Sequence, residues 1–345
     1  LNASELLEQA RELGYGDARA SLAAEAVRLA GAEGNELLEY QARYELLETA
    51  TFSGLADQAL VQFAWCLAYS DRDKTRQSEW HVLWAFKWVC TMMLEFPSIP
   101  RSRLTDTCEE MRARYERYGG GQRALHYHRA TIARHLGELD RWHEEIRLWR
   151  AARRDSLSDC RACESGHWVK YLIDRGEEPG ALKEGRALQL GKLRCECEPE
   201  STQSALLAPL WRAGRPDEAV DLQRRAYRKV GRNREFLSES ADHLAFLTRS
   251  GDLARAKKLF ERHLPWALAS RESIGRLRFF HSARLFLGSL SRRQRRFRLP
   301  RGFPVEDPRE LRSWFDGQAR ALSEEFDRRN ENSFFSRAVE SAYAL

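Results

Sequence analysis

Residues 201–231, STQSALLAPLWRAGRPDEAVDLQRRAYRKVG, decide how this chain folds. Leu206, Leu207, Leu210 and Trp211 form one apolar stripe at helical spacing, and Ala219, Val220, Leu222 and Ala226 form a second. Between the stripes lies Gly214-Arg215-Pro216-Asp217. Glycine tolerates the left-handed backbone that ends a helix, and proline suits the first turn of the next one. The stretch therefore predicts two helices joined by a tight turn. Residues 241–264, ADHLAFLTRSGDLARAKKLFERHL, carry the same plan one unit later.

Outward from this pair the turn glycine recurs. Gly137, Gly176, Gly214 and Gly251 are spaced 39, 38 and 37 residues apart. A small residue follows five positions later at Gly54 and Ala59, Gly176 and Ala181, Gly214 and Ala219, and Gly251 and Ala256. Gly16 and Ser21 obey the same rule, whereas Gly137 is followed by Trp142. A fixed period of this length marks a stack of similar helical hairpins, each burying its apolar face on its neighbour. Near residue 96 the glycine gives way to Phe96-Pro97-Ser98-Ile99-Pro100, which still reads as a helix break. Pro209 lies inside an otherwise regular helix, where it predicts a kink.

The pattern Leu-x-x-x-Gly-[Asp/Arg/Glu]-x-x-x-Ala, in Leu210 to Ala219 and Leu247 to Ala256, resembles the tetratricopeptide-repeat (TPR) family. The resemblance covers most of residues 1–270, with a period longer than that family's usual ~34 residues. It implies an all-α, right-handed superhelical α-solenoid of about seven or eight stacked helix-turn-helix units. The expected organisation is TPR-like repeats over 1–118 and 122–290, a basic Pro/Arg-rich loop at 291–308, and a helical cap at 309–345. Gly119–Gly121 would divide the array, either as a joint or as an ordinary loop.

Composition narrows the function classes. Of the 57 basic residues eight are lysine, leaving 49 arginines, yet 51 acidic residues reduce the net charge to +6. That balance permits acidic or nucleic-acid partners without requiring either. No apolar run reaches the ~18 residues of a membrane span. The opening Leu-Asn-Ala-Ser-Glu has no secretory pattern, and seven cysteines in so long a chain do not read as a disulfide scaffold, so a cytoplasmic location is expected. Phosphate-loop, zinc-protease and serine-elbow motifs are missing from the sequence, so no catalytic role and no required cofactor are expected.

Four cysteines form the sharpest constellation: Cys160-x-x-Cys163 and Cys195-x-Cys197, one repeat apart. Stacking would bring the two pairs to one edge of the array, where a tetrahedral thiolate site could hold a structural zinc ion; His167 could replace one cysteine. The alternative is four separate thiols. Trp80, Trp84 and Trp88 share one helix face and read as core, or as partner anchors where exposed.

In the TPR family the first helix of each unit lines a concave groove. The resemblance implies that Tyr127, Thr131, Arg134 and His135 lie there, followed by Lys170, Ile173 and Asp174, then Trp211 and Arg212, then Thr248 and Arg249. Arginines at this register suit carboxylates or phosphates. The expected function is a non-catalytic scaffold holding a peptide or helix of a partner protein, with an acidic or C-terminal peptide as the expected cargo. Two further classes stand beside it: a nucleic-acid binder using the arginine register and the loop Arg292 to Arg301 with Phe297, and a sensor that answers a peptide or metal by changing curvature at Gly119–Gly121.

Overall fold

The computed structural model describes residues 1–345 except 73–75, 292–295, 306, 308 and 342–345; for residues 76, 77 and 339–341 it describes the backbone alone. Among the described residues the chain is all-α, 76% helical, with no strand, and most helices pack on their neighbours in sequence. Residues 292–295 of the basic loop fall outside the described set.

The turn chemistry behaves as the sequence predicts. Gly214 and Gly251 adopt φ of +71° and +79°, ending one helix so that the next can fold back. Pro216 opens the helix Pro216–Val230, and the Asp252 side chain accepts from the Arg255 backbone N–H at 3.1 Å to cap Leu253–Ala269. The small residues five positions beyond the glycines, Ala59, Ala181, Ala219 and Ala256, are buried to 3% exposure or less. Each sits where a larger side chain would hold the paired helices apart. Pro209 disturbs its helix as expected: Glu200–Ala205 and Leu207–Arg212 are separate elements broken at Leu206. The ring excludes an N–H bond and crowds the carbonyl of Ala205, four residues earlier.

Two compact units divide the chain. The first comprises Leu1–Ser158 and Phe326–Phe334. Its hairpins include Ala3–Glu12 with Asp17–Ala32, Glu36–Thr51 with Ala56–Arg72, and Gln122–His135 with Leu139–Ala151. Gly119–Gly121 lie within this unit, where the Gly121 N–H donates to Asp155 Oδ2 at 2.6 Å. Trp80, Trp84 and Trp88 are half-buried, Trp80 and Trp88 against the core and Trp84 beneath the Lys87 ammonium, 3.1 Å from the ring centroid. Residues 326–334 join this unit through side-chain amides that cap helix carbonyls: Asn330 Nδ2 donates to His135 O at 2.7 Å and Asn332 Nδ2 to Leu136 O at 2.8 Å.

Lys87 is 3% exposed and donates to Leu157 O at 3.0 Å, tying the helix Arg76–Met92 to the unit's last loop. Lys87→Ala removes this bond, the cation over Trp84 and the packed stem. The expected cost is about 2 kcal/mol, read as a lower urea midpoint of the full chain.

The second unit comprises Asp159–Glu325 and Phe335–Leu345. Its successive first helices are Arg161–Asp174, the broken Glu200–Arg212 segment, Leu237–Arg249 and Ser273–Gly288, each packed on the next. An aromatic core closes its far end: Phe260 meets Phe286 and Phe315, each at 5.6 Å between ring centroids. Phe297, considered above as a stacking platform, rests on Phe260 at 5.4 Å and on Phe286 at 6.1 Å.

Candidate metal centre and binding face

Cys160 occupies the N-cap of the helix Arg161–Asp174, where its sulfur accepts the Cys163 backbone N–H at 3.4 Å. One turn further in, Gly166 presents no side chain, and the segment around Glu198 and Thr202 lies directly against it. Glu198 is 2% exposed and accepts from Thr202 through both the backbone N–H at 3.0 Å and the hydroxyl at 2.8 Å. Its own carbonyl accepts from the Cys195 N–H at 2.9 Å. This chain of contacts carries Cys195 to the start of the helix, with its sulfur 3.3 Å from that of Cys163.

The sulfurs of Cys160, Cys163 and Cys195 all lie within 4.8 Å of one another, so the three can hold a metal ion such as zinc. The Cys160 thiol is held well below its usual range because Cys163 and Cys195 donate to it, with help from the Cys163 and Ala162 backbone N–H groups. The two donors are pushed up correspondingly. Cys197 stands apart from this trio, its sulfur 3.9 Å from Glu235 Oε1, and burial pushes it well up. His167 Nε2 faces Asp159 at 3.8 Å.

The residues expected to line a groove fall in both units. In the first, the Thr131 hydroxyl bonds back to Tyr127 O at 3.1 Å, Tyr127 packs 5.6 Å from the Trp149 ring, and Arg134 lies over Trp142 at 5.5 Å. His135 offers its carbonyl to Asn330. In the second, Arg212 is paired with Glu178, Trp211 stays 38% exposed beside Phe246, Arg249 and Asp174 are exposed, Ile173 is half-buried and Thr248 is buried.

Lys170 belongs to a row the sequence reading did not assemble. Its Nζ donates to Ser201 Oγ at 2.8 Å and lies 3.6 Å from Glu198. Ser201 in turn donates to Glu239 Oε1 at 2.5 Å, and Arg278 Nη2 meets Asp242 Oδ1 at 2.5 Å. The row thus crosses all four first helices of the unit. Lys170, Asp242 and Arg278 keep 37%, 29% and 49% of their side-chain surface exposed, although the surrounding protein desolvates their charges. Burial pushes the Glu235 carboxyl well up, with Glu239, Glu272 and Glu196 adding to the shift, and burial raises Asp242 despite Arg278. The signal for this row was present in the period: Ser201 and Glu239 are 38 residues apart, Asp242 and Arg278 36.

No protein-family model matches the chain, and no curated protein is significantly similar to it. Among the described residues no helix is long and apolar enough to cross a membrane.

Proposed function

We propose that this chain is a non-catalytic, TPR-like superhelical scaffold of the cytoplasm that holds an extended segment of a partner protein on the concave face of its second unit. The observation carrying this reading is the polar row in which Lys170 bonds Ser201, Ser201 bonds Glu239 and, one turn along the same helix, Asp242 pairs with Arg278, so that four successive helices contribute. Carboxylates dominate there, and Glu235 and Asp242 are costly to ionise in their present surroundings. A lysine- or arginine-bearing peptide favours their ionised forms; an acidic one opposes them. Of the three arginines expected to clamp an acidic peptide, Arg134 lies over Trp142 and Arg212 is paired with Glu178, while Arg249 is exposed.

The test is fluorescence anisotropy of the full chain against matched peptides rich in Lys/Arg or in Asp/Glu, with a single-stranded oligonucleotide as third probe. The basic peptide is expected to bind tightest, and Glu239→Lys to weaken it at least tenfold. Tighter binding of the acidic peptide or the oligonucleotide would sink the reading.

A further inference from the structure

We propose that Cys160, Cys163 and Cys195 form a three-thiolate zinc site whose fourth coordination position is open to an exogenous ligand. The three sulfurs come from two separate parts of the chain, a helix start and a loop some thirty residues on, yet lie within 4.8 Å of one another. In a tetrahedral zinc thiolate, Zn–S bonds of about 2.3 Å set sulfur pairs about 3.8 Å apart. The cluster needs only small side-chain rotations to reach that spacing. Cys163 and Cys195 are now closer than this, at 3.3 Å, so they would open slightly around an ion. Two ligands separated by two residues at a helix N-terminus form a compact chelate, and the Cys163 N–H already points at the Cys160 sulfur. An all-sulfur donor set selects zinc over the hard cations magnesium and calcium.

The open position follows from what the site lacks. Among the described residues no further histidine, cysteine, aspartate or glutamate completes the cluster. Cys197, the natural candidate by sequence, lies against Glu235, and His167 lies against Asp159. Cys160 is the most exposed of the three, so the cluster borders solvent. Structural zinc sites are closed by four protein ligands, whereas three ligands leave room for water or an incoming donor. This inference rests on the sulfur geometry and is independent of the binding face.

The experiment uses the full chain, reduced, stripped of metal and titrated with cobalt(II) and then zinc(II). One ion per chain is expected, with thiolate-to-cobalt charge-transfer absorption. Cys160→Ser, Cys163→Ser and Cys195→Ser should each lose at least tenfold in affinity, while Cys197→Ser keeps that of the wild type. Added small thiol should shift the cobalt d–d bands of the wild type, because it enters the open position. Alkylation mapping of the wild type guards against misfolded variants: zinc should protect Cys160, Cys163 and Cys195 together. Substoichiometric binding, or absent protection of these three, overturns the site. Equal loss in Cys197→Ser, or d–d bands indifferent to added thiol, overturns the open position.

Discussion

Gly166→Ala is expected to destabilise the protein by about 3–4 kcal/mol and to weaken metal binding at the three cysteines at the same time. A Cβ at this position would lie 2.2 Å from Glu198 Oε1 and 2.6 Å from Thr202 Oγ1. Glutamate ends are ordinarily mobile, but this one is buried and fixed by two bonds from Thr202. Either the carboxylate abandons those bonds inside the protein, or the helix Arg161–Asp174 and the Glu198–Thr202 segment move apart by about an ångström. Overpacking of this kind costs about 1–3 kcal/mol, and a buried polar group left without its partner adds a similar amount. The gain in helix propensity from glycine to alanine, about 1 kcal/mol, offsets only part. Because Cys195 hangs from the Glu198 carbonyl, separation also widens the sulfur cluster. Denaturant unfolding and cobalt titration of one preparation test both halves. A variant as stable as the wild type, with unchanged cobalt affinity, would show that Glu198 does not anchor the loop.

The helical hairpins were legible because their cause is local. A glycine that can turn left-handed, a proline or aspartate beginning the next helix, and an alanine at the crossing suffice, as Gly214, Pro216 and Ala219 show. Three of the four cysteines were legible for a different reason: loops about one repeat apart in sequence come together, with Cys163 and Cys195 32 residues apart. Cys197 was not, since the chain bends and turns over residues 196–199, and the sulfur two residues beyond Cys195 packs against Glu235 instead. The arginine register misses the polar row because position relative to the turn glycine does not reveal nearby carboxylates. Arg212 has the expected position, but its partner Glu178 comes from the second helix of the preceding hairpin. Contacts one period apart hold the missing information: Ser204 with His243 spans 39 residues and Tyr227 with His263 spans 36. Pairing residues at the repeat distance, instead of reading each helix alone, would have found the Ser201–Glu239 and Asp242–Arg278 links, though not Lys170–Ser201, which spans 31 residues.

Those last two pairs also make the second unit sensitive to acid. His243 and His263 have no exposed surface, and burial is the main reason both are pushed down to about 3; His263 adds to the shift of His243, and Arg262 to that of His263. Each uses Nε2 in its one bond, His243 with the Ser204 hydroxyl at 3.1 Å and His263 with the Tyr227 hydroxyl at 2.8 Å, while Nδ1 of each has no partner. The unfolded chain protonates these rings near the ordinary histidine value of about 6.5, so between about 6.5 and 3 the unfolded state binds more protons. Stability is therefore complete above about pH 6.5 and falls as pH drops toward 3. Each histidine contributes a slope of about 1.4 kcal/mol per pH unit. Against a total stability of about 5–15 kcal/mol, two such slopes suffice to unfold the unit within a few pH units. Carboxylates also titrate in the lower part of this range, so the comparison must be with the His243→Gln/His263→Gln protein, whose side-chain amides reach toward the same hydroxyls without taking up a proton. Urea unfolding between pH 7 and pH 5, above most carboxylate titration, should show a clearly steeper decline for the wild type than for the double variant. Parallel declines would mean that the two rings accept protons inside the folded unit, and that the packing around Ser204 and Tyr227 opens to admit them.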